Sequence, residues 1–201
     1  MKSKEKILLA VLELASENGL GSVSLSQIAE KVGVKKATLY SHFSSKGEIV
    51  DSLYGYLREN AKTGLSGAIL DYGEMVKGKT APEILHQTVA AYRAINADEK
   101  LRMFYTFILS ERVFNKEAAR IMVAETEKMI LAVKQLFYAM HIHHVMHFTN
   151  VDMAALSFAM AIHSLLDYRE DKLFAENSET EQLIHAYIDE FCAVYGTFHE
   201  Q

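Results

Sequence analysis

The amino-acid sequence predicts an all-α protein with about nine helices. One proline and ten glycines are spread over 201 residues, so few positions interrupt a helix. Half of the residues are hydrophobic, which is enough for a sizeable core, and they recur at helical rather than strand spacing. We expect three short helices and then six longer ones, with a small N-terminal domain over residues 1–47 and a larger helical domain over residues 48–201.

The first three helices are predicted from their apolar spacing and their end signals. One face of the first helix is apolar: Ile7, Leu8, Val11, Leu12 and Ala15. That helix ends near Gly19, and Ser24 and Gln27 then have the spacing of a capping box that opens the second helix. Gly33 ends the second helix after about two turns. A third short helix is predicted over Lys36–His42.

Longer helices follow. Ser45 and Glu48 repeat the capping-box spacing and open a fourth helix that runs towards Leu70. The segment Tyr72–Lys79 contains two glycines and is predicted to be a loop. Thr80–Glu83 starts the next helix, because proline is tolerated in a first turn. Further helices are expected at about 98–112, 116–140, 151–172 and 179–198, the last of them capped by Ser178 with Glu181.

Charge and cysteine content exclude several classes of protein. Residues 1–50 hold seven lysines and five glutamates, a charge of +2, which leaves −7 for residues 51–201 out of a net −5. A basic end on an acidic body suits a protein that presents one end to phosphates. A single cysteine, Cys192, excludes an intrachain disulfide framework and a Cys-based zinc module. The sequence shows no signal-peptide pattern and no membrane-spanning apolar run, so we expect a cytoplasmic protein without membrane contact.

The segment from about Ser24 to Phe43 has the pattern of a helix-turn-helix. Two short helices flank a glycine-centred turn, which is the arrangement that places a second helix in the DNA major groove. The predicted inner residues are apolar: Ile28, Ala29, Val32, Val34 and Leu39. The predicted outward residues are polar or aromatic: Lys36, Thr38, Tyr40, Ser41 and His42. Their ammonium and hydroxyl groups suit phosphate oxygens and base edges, whereas Phe43 is expected in the core.

The segment Ser26–Lys46 strongly resembles the DNA-binding signature of TetR-family repressors. The shared features stand at the expected spacing: Ile28-Ala29 in the core, Gly33-Val34 at the turn, Thr38-Leu39-Tyr40 in the third helix, His42-Phe43 at its end and Ser45-Lys46 before the long helix. This resemblance implies that Thr38, Tyr40 and Lys46 contact phosphates. It places other residues nearest the bases: Lys36, Ala37, Ser41 and His42, with Ser26 and Gln27 assisting from the preceding helix.

The same resemblance implies a homodimer and a small, apolar effector. The two C-terminal helices of such proteins pack against their mates, and the residues expected there are Ala155, Phe158, Ala159, Ile162, Leu166, Ile184, Tyr187, Ile188 and Phe191. The residues expected to line an effector pocket are Tyr92, Met103, Phe104, Phe107, Met122 and Tyr138. Methionines adapt to ligand shape, but aromatic and methionine stripes are also common in cores.

A histidine-rich segment, residues 141–147, is the other unusual feature. On a helix, His143 and His147 would share one face at a spacing that can chelate a transition metal. A solvated segment between helices, or a pH-sensitive patch, fits the same residues. We predict no metal site and no cofactor, with His143 and His147 as the only metal candidates.

The predicted function is a ligand-responsive transcriptional regulator and repressor that binds a pseudo-palindromic, double-stranded DNA operator as a homodimer and is released by its effector. Two alternatives remain: an enzyme built on a helical bundle, and a protein-interaction module whose helix-turn-helix does not read DNA. The sequence shows no phosphate-binding glycine loop, nucleophile elbow or Glu-x-x-His pair, so a non-enzyme is preferred.

Overall fold

In the computed structural model, residues 3–64, 71–96, 99–175 and 181–195 are described, and every regular element in these ranges is helical. The all-α prediction is confirmed for them. Ten α-helices occur there, with a 3₁₀ turn over Leu20–Ser22: α1 Ser3–Asn18, α2 Leu25–Val32, α3 Lys36–Tyr40, α4 Lys46–Gly64, α5 Tyr72–Val76, α6 Ala81–Asn96, α7 Glu99–Glu111, α8 Lys116–Ile142, α9 Val151–Phe174 and α10 Glu181–Tyr195. None of these helices has both the length and the apolarity to cross a membrane.

The helices pack into two compact units. The first unit comprises Met1–Ile69 and Ile95–Glu125, and the second comprises Leu70–Ala94 and Thr126–Gln201. The core of the first unit is formed by α1 to α4, α7 and the start of α8, and the core of the second by α5, α6, α9, α10 and the rest of α8. Helix α4 packs with the helices before it in the first unit. The domain boundary between residues 47 and 48 stays a prediction.

The ends of α2 have the structure that the sequence predicts. The Ser24 hydroxyl accepts a hydrogen bond from the Gln27 amide at 3.3 Å, and the Gln27 side chain accepts one from the Ser24 amide at 2.8 Å. This reciprocal capping box satisfies two amides that the first helical turn leaves without partners. At the other end Gly33 has φ 75°, the left-handed conformation that glycine adopts without a steric penalty.

The loop predicted over Tyr72–Lys79 is wrong in its first half, because Tyr72–Val76 forms α5. The Asp71 side chain caps this helix by accepting a hydrogen bond from the Glu74 amide at 3.1 Å. Val76 is buried and anchors the short helix in the core of the second unit. The prediction treated two glycines as helix breakers. The Asp71 cap and the burial of Val76 are enough to hold five residues in a helix.

Two other predicted features lie outside the described residues. The end of the fourth helix was predicted near Leu70, and residues 65–70 are not among those described. The predicted cap of the last helix, Ser178, is likewise outside the described ranges.

Candidate nucleic-acid interface

A buried apolar cluster holds α2 and α3 against the rest of the first unit. Ile28, Ala29 and Leu39 are buried, and Val32 and Val34 pack partly buried against the same core. Phe43, just beyond α3, is also buried, as predicted. The Val34 amide donates to the Ala29 carbonyl at 2.9 Å, which closes the end of α2 across the turn. The turn is therefore fixed by backbone hydrogen bonds as well as by packing.

The opposite face of this motif consists of side chains that are open to solvent. Most residues predicted from the sequence to contact DNA are exposed: Ser26, Gln27, Lys36, Ala37, Thr38, Tyr40 and Ser41. His42 and Lys46 are half-buried. Tyr40 is a large aromatic side chain, and 52% of it is exposed. We call these nine residues the polar face.

Hydrogen bonds occupy only part of the polar face. The Ser41 hydroxyl donates to the Thr38 carbonyl at 2.7 Å, so its oxygen remains available to accept a hydrogen bond. The side chains of Lys36, Thr38 and Tyr40 form no hydrogen bond with any other described residue. Their donors are available for phosphate oxygens or base edges. Helix α3 ends at Tyr40, two residues before the predicted end, which puts Ser41 and His42 in the following turn.

Lys46 stands at the first residue of α4, and its ammonium group is already partly used. The Lys46 Nζ donates to the Leu20 carbonyl at 3.1 Å, which ties α4 to the 3₁₀ turn. An ammonium group has three donors, so two remain for a phosphate. The helix start differs from the predicted capping box: the Glu48 amide donates to the Ser45 hydroxyl at 3.1 Å, but the Glu48 carboxylate accepts from the Ser44 amide and hydroxyl, both at 2.6 Å. These bonds lower the pKa of Glu48.

Two lysines near the motif were not singled out from the sequence. Lys4 of α1 lies over the ring of Phe43, with its Nζ 5.3 Å from the ring centroid, and extends the basic surface beside the polar face. Lys31 instead pairs with Glu13 of α1, and this hydrogen bond raises the pKa of Lys31. Lys31 therefore braces α2 against α1. The lysines at every second position of the N-terminus indicate a basic segment that includes Lys4. Only the fold brings Lys4 beside Phe43.

The residues predicted to line an effector pocket separate into two groups. Phe104, Phe107 and Met122 are buried in the core of the first unit, with Met103 packed against them. Tyr54 of α4 joins this core: its ring centroid lies 5.6 Å from that of Phe107. The Tyr54 hydroxyl is buried and has no hydrogen-bond partner among the described residues. We call Tyr54, Met103, Phe104, Phe107 and Met122 the aromatic cluster.

The other two predicted pocket residues belong to the second unit. Tyr92 is half-buried in α6. Tyr138 is 42% exposed, and its hydroxyl donates to Asp152 at 3.0 Å, beside the ion pair of Lys134 with the same carboxylate at 2.7 Å. These contacts hold Tyr138 on the surface of α8, so it is not part of the aromatic cluster. The pocket itself stays a prediction.

The residues predicted for the dimer interface lie mainly inside the chain. Seven of them are buried in the second unit: Ala155, Phe158, Ala159, Ile162, Ile184, Ile188 and Phe191. Leu166 and Tyr187 pack partly buried against the same core. The apolar stripes of α9 and α10 therefore pack in the chain's own core, and the dimer interface stays a prediction. The outer sides of these helices carry exposed apolar residues: Met153 and Met160 on α9, Leu183 and Val194 on α10.

His143 and His147 do not share a helical face, because α8 ends at Ile142. His144 follows with φ 58°, and the chain turns away from the helix axis there. The rings of His141 and His147 lie 5.5 Å apart instead. In the described part of the chain, no three His, Cys, Asp or Glu residues are grouped so that they could hold a metal ion.

Known proteins are similar to the part of this chain that contains the polar face. Residues 7–53 match the family described as bacterial regulatory proteins, tetR family. The HTH-type transcriptional regulator YvdT of Bacillus subtilis is 43% identical over 49 residues, 24% of this chain and 25% of that protein. The HTH-type transcriptional repressor BepR of Brucella suis is 30% identical over 109 residues, 53% of this chain and 49% of that protein. The matches thus span half or less of these relatives' lengths.

A solved structure matches the fold over nearly the whole chain. A TetR-family transcriptional regulator from Mesorhizobium loti is 20% identical to this chain, with a TM-score of 0.63, and the match covers 97% of each chain. At this identity the likeness concerns the fold. It extends from the helix-turn-helix through the C-terminal helices, where the sequence matched only in length and helix order.

Proposed function

Because this chain belongs to the TetR family of bacterial regulatory proteins, we propose that it is a ligand-responsive transcriptional repressor. As a homodimer it binds a pseudo-palindromic operator, and a small apolar effector releases it. The polar face carries this proposal. Its nine residues lie on α2, on α3, in the turn after α3 and at the start of α4, and a buried core holds these elements in place. An exposed Tyr40 among free hydroxyl and ammonium donors is what a DNA surface requires.

DNA recognition divides the polar face into two roles. Thr38, Tyr40 and Lys46 contact phosphates, which fixes the register of α3 in the major groove. Lys36, Ala37 and Ser41 lie nearest the bases, where the small Ala37 permits close approach and suits a thymine methyl group. His42 completes this group, and Ser26 and Gln27 contact the DNA from α2. The charge of +2 on residues 1–50 favours this end of an otherwise acidic chain.

Dimerisation uses the outer sides of α9 and α10. Met153 and Met160 are exposed on the side of α9 that faces away from its buried residues. On α10, Leu183 and Val194 are exposed in the same way, the latter to 64%. Two copies that meet through these surfaces form an isologous contact with twofold symmetry, which matches a pseudo-palindromic operator. The predicted partner surface is therefore shifted from the buried stripe to these four residues.

Effector release acts through α4, because this helix contributes a residue to the polar face and another to the aromatic cluster. Its first residue, Lys46, belongs to the polar face, and Tyr54, two turns later, belongs to the aromatic cluster. A buried hydroxyl without a partner is unfavourable, so a ligand with a polar atom gains a hydrogen bond at Tyr54. Methionines at 103 and 122 accommodate its apolar part. A shift of α4 on binding moves the start of α4 and the end of α3 together.

Replacement of Tyr40 tests the DNA-binding role. We expect Tyr40→Ala to lower affinity for the specific operator at least on the order of tenfold, since phosphate and groove contacts disappear together. Tyr40→Phe keeps the ring and removes only the hydroxyl, so it reports the phosphate bond alone. The measurement is a gel shift with the DNA that precedes this chain's own gene, and circular dichroism confirms folding.

Two outcomes would contradict the proposal. If Tyr40→Ala binds the operator as the wild type does, the polar face is not the DNA surface. If the wild type binds no fragment more tightly than random DNA at any salt concentration, the chain is better explained as a protein-interaction module. Salt is varied because affinity from phosphate contacts falls steeply as salt rises.

A further inference from the structure

A cavity of about 780 Å³ opens on the surface of the second unit. Three segments line it: residues 76–82 before and at the start of α6, residues 143–145 after α8, and one side of α10. Its size lies within the range of small-molecule sites in proteins. Apart from His143, no residue predicted from the sequence as a functional site lines it.

The rim of this cavity is basic although residues 51–201 carry a charge of −7. Lys77, Lys79, His143 and His144 line it, and among the described lining residues only Asp189 is acidic. Asp189 is engaged, with its Oδ1 2.7 Å from Nε2 of His86 on α6. Lys77 lies 3.2 Å from the Glu74 carboxylate in a solvent-exposed pair, which contributes little.

Lys79 is a cation of this rim whose ammonium group is paired with no described carboxylate. Its side chain is exposed and forms no hydrogen bond or ion pair with any described residue, whereas its backbone amide donates to the Val76 carbonyl at 3.4 Å. The nearby Glu83 carboxylate is bound to the amide and the hydroxyl of Thr80, both at 2.8 Å. The rim thus offers a positive group to a ligand without first breaking an internal pair.

The floor of the cavity is apolar. Val76, Ala81 and Cys192 are buried there, and Pro82 and Val145 extend the apolar lining. Burial, with a smaller contribution from the Asp189 charge, raises the pKa of the Cys192 thiol to about 11. The thiol therefore stays protonated at neutral pH and acts as an apolar wall rather than as a nucleophile.

His144 lines the cavity in a backbone conformation that favours glycine. Its φ is 58°, and the Val145 amide donates to the Met140 carbonyl at 2.8 Å, which is the hydrogen bond that closes a helix at a left-handed residue. A histidine at this position costs stability that a glycine would not. Unusual backbone conformations of this kind are often found where a side chain serves a ligand.

We propose that this cavity binds a small organic anion, a carboxylate or sulfonate on a short apolar body. The basic rim around Lys79 holds the acid group, and the floor around Cys192 and Val76 takes the apolar part. The inference is independent of DNA binding, because every lining residue belongs to the second unit and no DNA contact enters the argument.

Two fluorescent probes separate charge from shape. Anilinonaphthalene sulfonate and phenylnaphthylamine share one aromatic body, and only the first carries a sulfonate. With the full chain we expect the sulfonate to bind more tightly. Lys79→Met should weaken the sulfonate about three- to fivefold and leave the neutral probe unchanged. Ala193→Phe, which adds a bulky ring to the cavity lining from α10, should weaken both probes. Lys116→Met removes an exposed lysine of the first unit as a matched control and should change neither.

His144→Gly separates a lost contact from a lost fold. It relieves the positive φ, so the midpoint of thermal unfolding should rise while the sulfonate affinity falls. A more stable variant cannot lose binding because it unfolds. The proposal is overturned if the wild type binds neither probe, if it binds both equally, or if sulfonate affinity survives both Lys79→Met and Ala193→Phe.

Discussion

The helix-turn-helix and the pair α9 and α10 use their apolar residues in the same way and their outer surfaces differently. In both regions the apolar stripe is buried in the chain's own core, as Leu39 and Phe158 are. Outside, α2 and α3 present polar side chains, and those of Lys36, Thr38 and Tyr40 form no hydrogen bond with another described residue. Helices α9 and α10 instead present scattered apolar side chains such as Met160 and Val194. Burial therefore reports packing in both regions, and the functions proposed for both regions rest on what the fold leaves exposed.

The largest expected effect lies on the inner side of this comparison. Leu39 is 1% exposed in the core under α3, and Leu39→Ala should lower the free energy of unfolding by about 2–5 kcal/mol because a cavity replaces a packed side chain. Thr38→Ala, one residue away and exposed, should change it by less than about 0.5 kcal/mol. Urea denaturation measures both. Equal losses from the two variants would mean that α3 is not divided into a core side and a DNA side.

The same comparison explains which parts of the fold could be predicted from sequence. The ends of α2 follow from local chemistry, since Ser24 and Gly33 act on their own neighbours in the chain. The polar face was predicted because polar residues at fixed positions have no role in a core. On α9 and α10 the sequence pattern could not distinguish core residues from interface residues, because apolar residues such as Phe158 and Ile188 suit both.

Other features depend on contacts between distant segments, which periodicity does not contain. Helix α5 exists because Asp71 caps it and Val76 reaches a core built by later helices. The cavity in the second unit joins residue 79 to residues 143 and 192, three segments with no common sequence pattern. The pairing of Lys4 with Phe43 arises in the same way.

The second prediction concerns the outer side of α9. Met160 is 40% exposed, and Met160→Asp should weaken the dimer by an order of magnitude or more, because a carboxylate loses its water in an apolar contact. Sedimentation velocity over a range of concentrations measures the change. Val113→Asp, at an exposed apolar position before α8, is the matched control and should leave the dimer intact. A monomeric wild type, or equal weakening by both variants, would remove α9 from the interface.

The third prediction concerns the one buried polar group of the aromatic cluster. Tyr54→Phe removes a hydroxyl that has no hydrogen-bond partner in the described part of the chain, and it should raise the free energy of unfolding by about 1 kcal/mol. If the cluster binds the effector, the same variant should respond less to it in an operator-release assay. Tyr56→Phe, on the same helix, is the control, because the Tyr56 hydroxyl donates to Glu5 at 3.4 Å. Loss of stability in Tyr54→Phe would mean that the hydroxyl is satisfied.

The smallest expected effect is a pH dependence at the junction of the polar face and α4. Bonds from the Ser44 hydroxyl and amide lower the pKa of Glu48 from its ordinary value of 4.5. A carboxyl group with a lowered folded-state pKa stabilises the fold above its ordinary pKa, and this contribution disappears as the pH falls through the lowered value. Glu48→Gln should therefore unfold at a lower temperature than the wild type at neutral pH. The difference should shrink as the pH falls below 4.5. Glu30→Gln, at an exposed position of α2, is the control variant, and a constant gap for Glu48→Gln would assign its effect to packing rather than to charge.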